Sequence, residues 1–237
     1  MPISNRILPA ALLFFSIACL ATLPFQASRA DAEVSATDAA GLYDTETTYT
    51  IVRKGNKIGT HSLSFSQSEA ALVVTAKSNI KVTALKIPVF RFNYQSTENW
   101  QSDRLVSVES TAKTGKKTEK SSLQNNENKS QVSYTDTQGN TKQESAARID
   151  YATNHWNINA VQQSILFNTI KGVASNVVVT NHGQKTIEIN GTSLNTTHYE
   201  YTGDLQVESW YDQNNRWVKL LFLGSDGSEI SYTIDTP

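Results

Sequence analysis

The sequence predicts a mostly β protein, in which a strongly curved antiparallel sheet forms a half-barrel or incomplete barrel of about ten to twelve strands. One short helix would serve as a lid or plug. Three observations support this: apolar residues recur at every second position, turn-forming dipeptides separate these runs, and one segment has apolar residues at helical spacing. Because each strand would have one apolar face, that face must be covered by the sheet itself, by the helix or by a ligand.

Two consecutive runs show the period of two most clearly. From Leu72 to Ala84 the even positions are apolar or small, while most odd positions are polar. In the next run four aromatic residues share one parity, with polar residues between them: Phe90, Phe92, Tyr94 and Trp100. Both patterns predict strands with one buried face, and if the two strands pair, their apolar rows form a continuous surface.

Short turn sequences join the runs and favour antiparallel hairpins. Asn190-Gly191 and Asp226-Gly227, for example, contain residues that tolerate positive φ in tight turns. One segment differs, because its apolar spacing predicts a helix over residues 160–171, capped by Asn159 and ended by Gly172. The apolar residues that define this helix are Val161, Ile165, Leu166 and Ile170.

The N-terminus predicts export. Arg6 precedes an apolar run over residues 7–23, and small residues follow, with cleavage expected after Ala30 or Ala32. Two alternatives stay open. The run could remain as a membrane anchor, although it is short for one, or Cys19 could be lipidated, although the expected leucine three residues before it is missing.

We therefore divide the chain into a cleavable signal peptide over residues 1–30, a flexible segment over residues 31–44 and a single β domain over residues 45–235. The protein would be periplasmic or secreted, without a transmembrane anchor. Cleavage would also remove Cys19, the only cysteine of the chain. Disulfides, a thiol nucleophile and cysteine-based metal sites are then excluded.

The charge composition of the chain argues against nucleic acid as a partner. The chain has 21 basic and 22 acidic residues, and cleavage after Ala30 would leave 19 basic residues and a net charge of −3. Such a balance provides no basic field for nucleic acid or an anionic membrane surface. The four histidines have no spacing that would place two of them on one metal ion, so we expect no metal or other cofactor.

Two polar residues share the parity of predicted buried positions and could form a polar pocket. His61 shares the parity of Leu63 and Phe65, and Glu98 that of Tyr94, where burial would raise the pKa of its carboxyl. Structural roles are the alternatives: a hydrogen-bonded core histidine, and a strand that ends near Glu98 so that the carboxylate reaches water. No catalytic elbow, phosphate-binding glycine loop or dinucleotide fingerprint accompanies them.

An apolar ligand would bind between the sheet and the helix. A helix of about twelve residues covers only part of such a sheet face, so either the sheet closes on itself or apolar surface remains for a guest. We expect this guest to contact six residues, namely Phe90, Phe92, Tyr94, Trp100, Ile165 and Ile170. The alternative is that these side chains simply fill the core.

Three segments carry a resemblance to a known family. They are Arg53–His61, Phe167–Gly172 and the C-terminal part from Gly203 to Tyr232, which includes Glu208–Asp212. Together they resemble an uncharacterised domain-of-unknown-function family of exported bacterial β-proteins. That family is similar in presumed fold to the periplasmic lipoprotein carriers, which implies a half-barrel with helices over its mouth. This sequence departs from the carriers in having fewer predicted helices.

Three classes of function remain open. The first is a non-enzymatic periplasmic protein that binds an apolar or lipid-like ligand, such as a lipid, an acyl chain or a lipidated peptide. The second is a structural or interaction module that binds other cell-envelope proteins through a sheet edge. The third is a cell-envelope hydrolase using His61, Glu98 or Asp212. We favour the first class because concave apolar β surfaces commonly hold ligands and no catalytic motif is arranged here.

Overall fold

The computed structural model describes residues 33–69, 71–84 and 87–236. These residues form one short α-helix, fourteen strands and one 3₁₀ helix. In chain order the elements are α1 (Ala36–Ala40), β1 (Glu46–Arg53), β2 (Asn56–Gln67), β3 (Ala71–Ala84), β4 (Ile87–Gln101), β5 (Arg104–Thr114), β6 (Lys117–Asn125), β7 (Lys129–Thr135), β8 (Thr141–Ala147), the 3₁₀ helix (Ile158–Gln162), β9 (Ile165–Asn168), β10 (Val173–Ile189), β11 (Thr192–Gly203), β12 (Val207–Asp212), β13 (Trp217–Leu223) and β14 (Glu229–Ile234).

All fourteen strands belong to one antiparallel sheet with the order β8-β7-β6-β5-β4-β3-β2-β1-β14-β13-β12-β11-β10-β9. Two meanders run outward from the central pair of β1 and β14. Tight turns explain this order, because strands that they join become antiparallel neighbours. The terminal strands β8 and β9 are not paired with each other within the described part of the chain, but β10 approaches β7. The sheet therefore curls into an incomplete barrel.

The predicted fold class is confirmed, although the sheet has more strands than the ten to twelve that we expected. For two of the additional strands the sequence shows little of the alternating pattern that predicts a strand. β8 has six exposed residues out of seven and so has no apolar alternation. β9 has only four residues and lies within the segment that we predicted to be helical. Alternation reveals a strand only where one of its faces is buried.

One end of the barrel is filled by the connection between β8 and β9, residues 148–164, which we call the plug segment. Its Trp156 is 2% exposed. The ring centroid of Trp156 lies 5.6 Å from that of Trp100 on β4 and 5.7 Å from that of Phe65 on β2. Much of the apolar sheet face is therefore covered by the chain's own aromatic residues. We call this part of the molecule the packed end.

Residues 33–44 differ from the flexible segment that we expected, because they pack against the barrel. The Tyr43 hydroxyl donates to the carbonyl oxygen of Trp156 at 2.7 Å and accepts a hydrogen bond from the amide of Trp217 at 2.8 Å. The sequence signal was weak because the buried residues of α1 are all alanines, which occur as readily on surfaces: Ala36, Ala39 and Ala40.

The helix predicted over residues 160–171 was wrong. The chain makes one 3₁₀ turn, is extended at Gln163 (φ −91°, ψ 146°) and continues as β9. β9 pairs with β10, so the edge of the sheet satisfies backbone groups that a helix would have satisfied internally. Gly172 then closes the hairpin at φ +62°, where a Cβ would lie 2.8 Å from the Ser133 carbonyl oxygen. Spacing alone cannot distinguish a helix from a strand in so short an apolar run.

The predicted signal peptide and its cleavage sites lie outside the described residues. In the part of the chain that the structure describes, no helix is long and apolar enough to cross a membrane.

Candidate functional site

A cavity of about 730 Å³ lies inside the barrel, at the end away from α1. We call it the barrel cavity, and we call its opening the mouth. Strand β4 connects the two ends of the barrel, because Phe92 near its start lines the cavity and Trp100 near its end belongs to the packed end. The mouth is bordered by the β9–β10 hairpin, with Ile170 and Lys171, and by the β11–β12 turn with Asp204.

The cavity wall is largely aromatic and aliphatic. Leu220 and Phe222 project inward from β13 at alternate positions, and Tyr232 projects from β14. The Phe222 and Tyr232 ring centroids are 6.0 Å apart. On the opposite wall the rings of Phe92 and Tyr94 are nearly parallel, with centroids 6.4 Å apart. The period of two in these strands thus places apolar side chains on two walls of the cavity. Polar residues complete the lining, among them Asn154 of the plug segment and Thr169 of the β9–β10 hairpin.

Two histidines and one tryptophan form the cavity floor. The Trp217 ring centroid lies 5.7 Å from that of His61, on β2, and 5.9 Å from that of His155, in the plug segment. Each histidine is 6% exposed. The Nδ1 atom of His61 lies 2.8 Å from the Ser78 hydroxyl oxygen. Within the described residues, His61 Nε2 and His155 Nδ1 have no hydrogen-bond partner.

Both imidazoles are neutral near pH 7. Burial lowers the pKa of His61 to about 3, and the neighbouring His155 contributes to the same shift. Burial alone lowers the pKa of His155 to about 4. A neutral imidazole has one nitrogen that donates a hydrogen bond and one that accepts. The floor is therefore uncharged near pH 7, and its two unpartnered nitrogens are themselves buried.

The backbone holds His155 in an uncommon conformation. Its φ is +59°, in the left-handed region that few residues other than glycine adopt. The Tyr211 hydroxyl donates to the His155 carbonyl oxygen at 2.9 Å and so fixes this peptide from the sheet side. Such conformations persist only where the surrounding structure imposes them, and they are enriched at functional sites.

Glu98 lies behind the cavity wall and is 1% exposed. Its Oε2 accepts hydrogen bonds from the indole nitrogens of Trp100 and Trp156, each at 2.9 Å, and its Oε1 accepts one from Asn154 Nδ2 at 2.6 Å. Burial raises the pKa of this carboxyl, while the three hydrogen bonds oppose the shift. The hydroxyl of Tyr94 lies 3.0 Å from Asn154 Oδ1, which links the carboxyl to the wall of the cavity.

The structure brings together four residues that the sequence singled out. Phe92, Tyr94 and Ile170 line the barrel cavity, and His61 reaches it from the floor. The parity argument succeeded for the first two and for His61 because β2 and β4 keep regular registers with β3 around these residues. Ile170 lines the cavity for a different reason than predicted, since it lies in the β9–β10 hairpin and not on a helix.

The other four residues are not part of the cavity. Phe90 has the predicted parity but is 43% exposed, because it lies toward the outer end of the β3–β4 hairpin. Trp100 lies at the packed end, and Ile165 is half-buried on β9. Glu98 does not lie at a strand end in water, because β4 continues past it to Gln101. It does not line the cavity either.

Several lining residues escaped the sequence-based prediction. Leu220, Phe222 and Tyr232 lie on strands with visible alternation, and their site role depends on the circular closure that brings β13 and β14 opposite β4. Trp217, at the start of β13, contacts His61 through the curvature of the sheet. His155 joins them only through the path of the plug segment, for which the sequence carries no signal that we can identify.

A second recess, of about 870 Å³, lies on the outer face of β2 to β7. It is lined mainly by hydroxyl, amide and lysine side chains, among them Lys77, Lys113 and Lys120. Although it is larger than the barrel cavity, it has no comparable apolar wall and no buried unpartnered group, so we regard the barrel cavity as the stronger candidate. Within the described ranges, no group of three histidine, cysteine or acidic side chains is placed to hold a metal ion.

Residues 49–235, from β1 to the end of β14, match the model of the domain of unknown function DUF6134. The chain belongs to the DUF6134 family. This match confirms the resemblance to a domain-of-unknown-function family of β-proteins that the sequence indicated. No curated protein matches the chain.

A solved structure supports the fold of this DUF6134 chain. The crystal structure of a β-barrel-like protein of the domain of unknown function DUF1849 from Brucella abortus is similar, with a TM-score of 0.56 and 11% identity. The similarity covers 81% of this chain and 98% of the other. At this identity the likeness supports the incomplete barrel and says nothing about a ligand.

Proposed function

We propose that this protein is a non-enzymatic binding protein that holds a small apolar or lipid-like molecule in the barrel cavity. The observation that carries the proposal is the cavity itself, which is open at one end, has aromatic and aliphatic side chains on its walls and ends on two neutral histidines. Its volume of about 730 Å³ is in the range of small-molecule sites, roughly 300–1,000 Å³.

The floor and the mouth define the chemistry of the ligand. Because His61 and His155 are uncharged, a carboxylate at the floor would lose its hydration without gaining a counterion. A hydroxyl, an amide or a protonated acid avoids this cost because it carries no charge. An anionic headgroup would remain at the mouth, where Lys171 is exposed. We therefore favour a ligand with an apolar body and a neutral polar group at its inner end.

The histidine chemistry favours binding over hydrolysis. Ser78 and His61 form a hydroxyl–imidazole pair at 2.8 Å, which is the strongest feature that a hydrolase could use. A general base works best with a pKa near the working pH, whereas burial lowers the pKa of His61 to about 3. Asp212, which we considered as a catalytic residue, binds Arg216 in the β12–β13 turn.

The sheet edges give weaker support to an interaction module. β8 is an edge strand with exposed side chains, and it includes Lys142 and Glu144. Charged side chains on an edge strand are a common defence against pairing with another chain. We therefore rank this second function below ligand binding.

Binding of a fluorescent fatty acid and of the matching fatty alcohol tests the proposal. We expect both probes to bind, the alcohol at least as tightly, because the floor is neutral. Replacing Phe92 with serine removes apolar wall and should weaken binding about tenfold or more, since burying such a ring contributes about 1.5–3 kcal/mol. The measurement is a fluorescence titration of each variant.

A matched control for this experiment is Val178→Ser, because Val178 is 66% exposed on β10 and does not line the cavity. This variant should bind like the wild-type protein. Thermal unfolding of each variant reports whether the barrel is intact. The ligand-binding proposal fails if folded wild-type protein binds neither probe, or if both variants bind equally well.

We also propose that the protein is exported and that its signal peptide is cleaved, on the strength of the N-terminal pattern. N-terminal sequencing of the protein from its host should find Asp31 or Glu33 as the first residue, because cleavage is expected after Ala30 or Ala32. Protein that begins at Met1, or at an acylated Cys19, would contradict this prediction.

A further inference from the structure

The charges of the barrel are distributed unequally between its two ends, although the chain as a whole is almost neutral. The β1–β2, β3–β4, β5–β6 and β9–β10 hairpin turns all lie at the mouth end, because these hairpins lead away from the packed end. Exposed cations flank these turns, namely Lys57, Lys81, Arg91, Lys113, Lys116 and Lys171. Within the described residues none of the six takes part in an ion pair.

Acidic residues at the mouth end are fewer, and three of them are engaged. Asp226 binds Arg53 and Lys54, and Asp204 accepts a hydrogen bond from the amide of Asn176 at 2.9 Å. Asp136 accepts hydrogen bonds from the Gln138 backbone amide at 2.8 Å and the Asn140 side-chain amide at 3.0 Å, and Glu229 is also at this end. By contrast, the turns at the packed end combine acidic residues, including Glu69, Asp103 and Glu127, with the cations Arg104 and Lys129. The sequence-based argument from net charge missed this separation because it averages over both ends.

Two of the mouth cations occupy an electrostatically unfavourable position. Lys81 on β3 and Arg91 on β4 are directly opposite each other in the sheet register. Like charges at such a position destabilise a strand pair. The adjacent β5–β6 turn adds Lys116, since the Gly115 amide donates to the Arg91 carbonyl oxygen at 3.0 Å. An anionic surface against this end would relieve the repulsion.

The exposed large apolar residues concentrate at the same end. Among the residues with described side chains, they are Val89, Phe90, Ile170, Val173, Val178 and Leu223. Val89 and Phe90 lie on β4 just beyond the cavity, while Ile170 and Leu223 line the mouth itself. Val178 pairs with Thr202, one residue before Gly203 at the mouth. Apolar side chains among cations form the composition that binds the interface of an anionic bilayer.

We propose that the mouth end of the barrel docks on the surface of a membrane that contains anionic phospholipid. Phe90 and Ile170 enter the headgroup region, while Lys81, Arg91 and Lys116 face the lipid phosphates. The barrel cavity then opens toward the bilayer. This docking goes beyond the proposed ligand binding and does not depend on it, since the rim residues bind lipid headgroups whether or not the cavity is filled.

Cosedimentation of the purified mature protein with vesicles tests the proposal. Vesicles of phosphatidylcholine mixed with phosphatidylglycerol should bind the protein, and added salt should weaken binding because it screens surface charge. Vesicles of phosphatidylcholine alone should bind it much less. The double variant Lys81→Gln and Arg91→Gln should bind the anionic vesicles about 25-fold less tightly, since each cation contributes about fivefold near such a surface.

Two further variants separate the apolar contribution from non-specific charge. Phe90→Ser should weaken binding to anionic vesicles about tenfold without changing its salt dependence. The control, Arg104→Gln with Lys129→Gln, removes two exposed cations from the packed end and should leave binding unchanged. All substituted side chains are exposed or partly exposed, and circular dichroism of each variant monitors the fold.

Three results would overturn the proposal. Equal binding to both kinds of vesicle, or an equal loss in the mouth and packed-end double variants, would show that the mouth is not the docking surface. Tighter binding to heparin than to anionic vesicles, with the same dependence on Lys81 and Arg91, would instead identify an acidic polymer as the partner. Failure of the fatty-acid titration alone would leave membrane docking intact.

Discussion

Replacing Glu98 with alanine is expected to lower the free energy of unfolding by about 3–5 kcal/mol. The variant leaves three buried N–H groups without an acceptor, namely the indole N–H groups of Trp100 and Trp156 and one N–H of the Asn154 amide, whose other N–H donates to the Ser96 hydroxyl. Each unpaired buried donor costs about 1–3 kcal/mol, and loss of the desolvated carboxylate offsets part of the sum. Urea unfolding at neutral pH measures the effect.

Two variants control this prediction. Glu109→Ala removes an exposed carboxylate from the outer face of β5 and should change stability by no more than about 0.5 kcal/mol. Glu98→Gln keeps an acceptor for the two indoles and should cost far less than Glu98→Ala. If Glu98→Ala costs no more than Glu109→Ala, the buried hydrogen bonds contribute nothing to stability.

The pH dependence of Glu98→Gln gives an independent check. Burial raises the pKa of Glu98 in the folded state. This group therefore stabilises the folded state most at pH values below its ordinary pKa of about 4.5. That contribution is lost as the pH rises from about 4.5 to the folded-state pKa. The stability of the wild-type protein relative to Glu98→Gln should therefore be greatest in acid and decrease toward neutral pH.

Acid is expected to destabilise the protein through His61 and His155, by about 3–4 kcal/mol between pH 6 and pH 4.5. Both side chains titrate near pH 6.5 when unfolded, whereas burial lowers their folded-state pKa values to about 3 and about 4. The unfolded state therefore binds more protons in this window. Stability is complete above pH 6.5 and falls by about 1.4 kcal/mol per histidine for each pH unit below it.

The double variant His61→Gln and His155→Gln isolates this contribution, because the remaining carboxylates titrate in both proteins. Between pH 6 and pH 4.5, the free energy of unfolding should fall in both proteins, but the fall should be about 3–4 kcal/mol smaller in the double variant than in the wild-type protein. His182→Gln, at an exposed histidine on β10, is the control and should follow the wild-type curve. Parallel curves for all three proteins would show that His61 and His155 are not buried as neutral groups.

The candidate site could be predicted from sequence only in part. Parity on β2 and β4 was sufficient to point His61, Phe92 and Tyr94 inward, because side chains alternate strictly along a regular strand. Parity could not say how far along the barrel each residue lies. Phe90 and Trp100 share one face of β4, yet the first is exposed beyond the barrel and the second is packed against Trp156.

The sequence by itself determined the antiparallel β class, the hairpin order and the buried face of the long strands. Each of these depends on local chemistry, that is on side-chain alternation and on turn residues that accept positive φ. It also indicated kinship with a domain-of-unknown-function family of β-proteins, which the match to DUF6134 confirms.

Only the tertiary structure decided the path of the plug segment, the meeting of His61 with His155, and the separation of charge between the two ends. The segment over residues 160–171 shows why, because its apolar spacing suits a helix, and the free edge of β10 makes its second half a strand. Such choices depend on partners far away in sequence, whose hydrogen bonds and packing outweigh local preference.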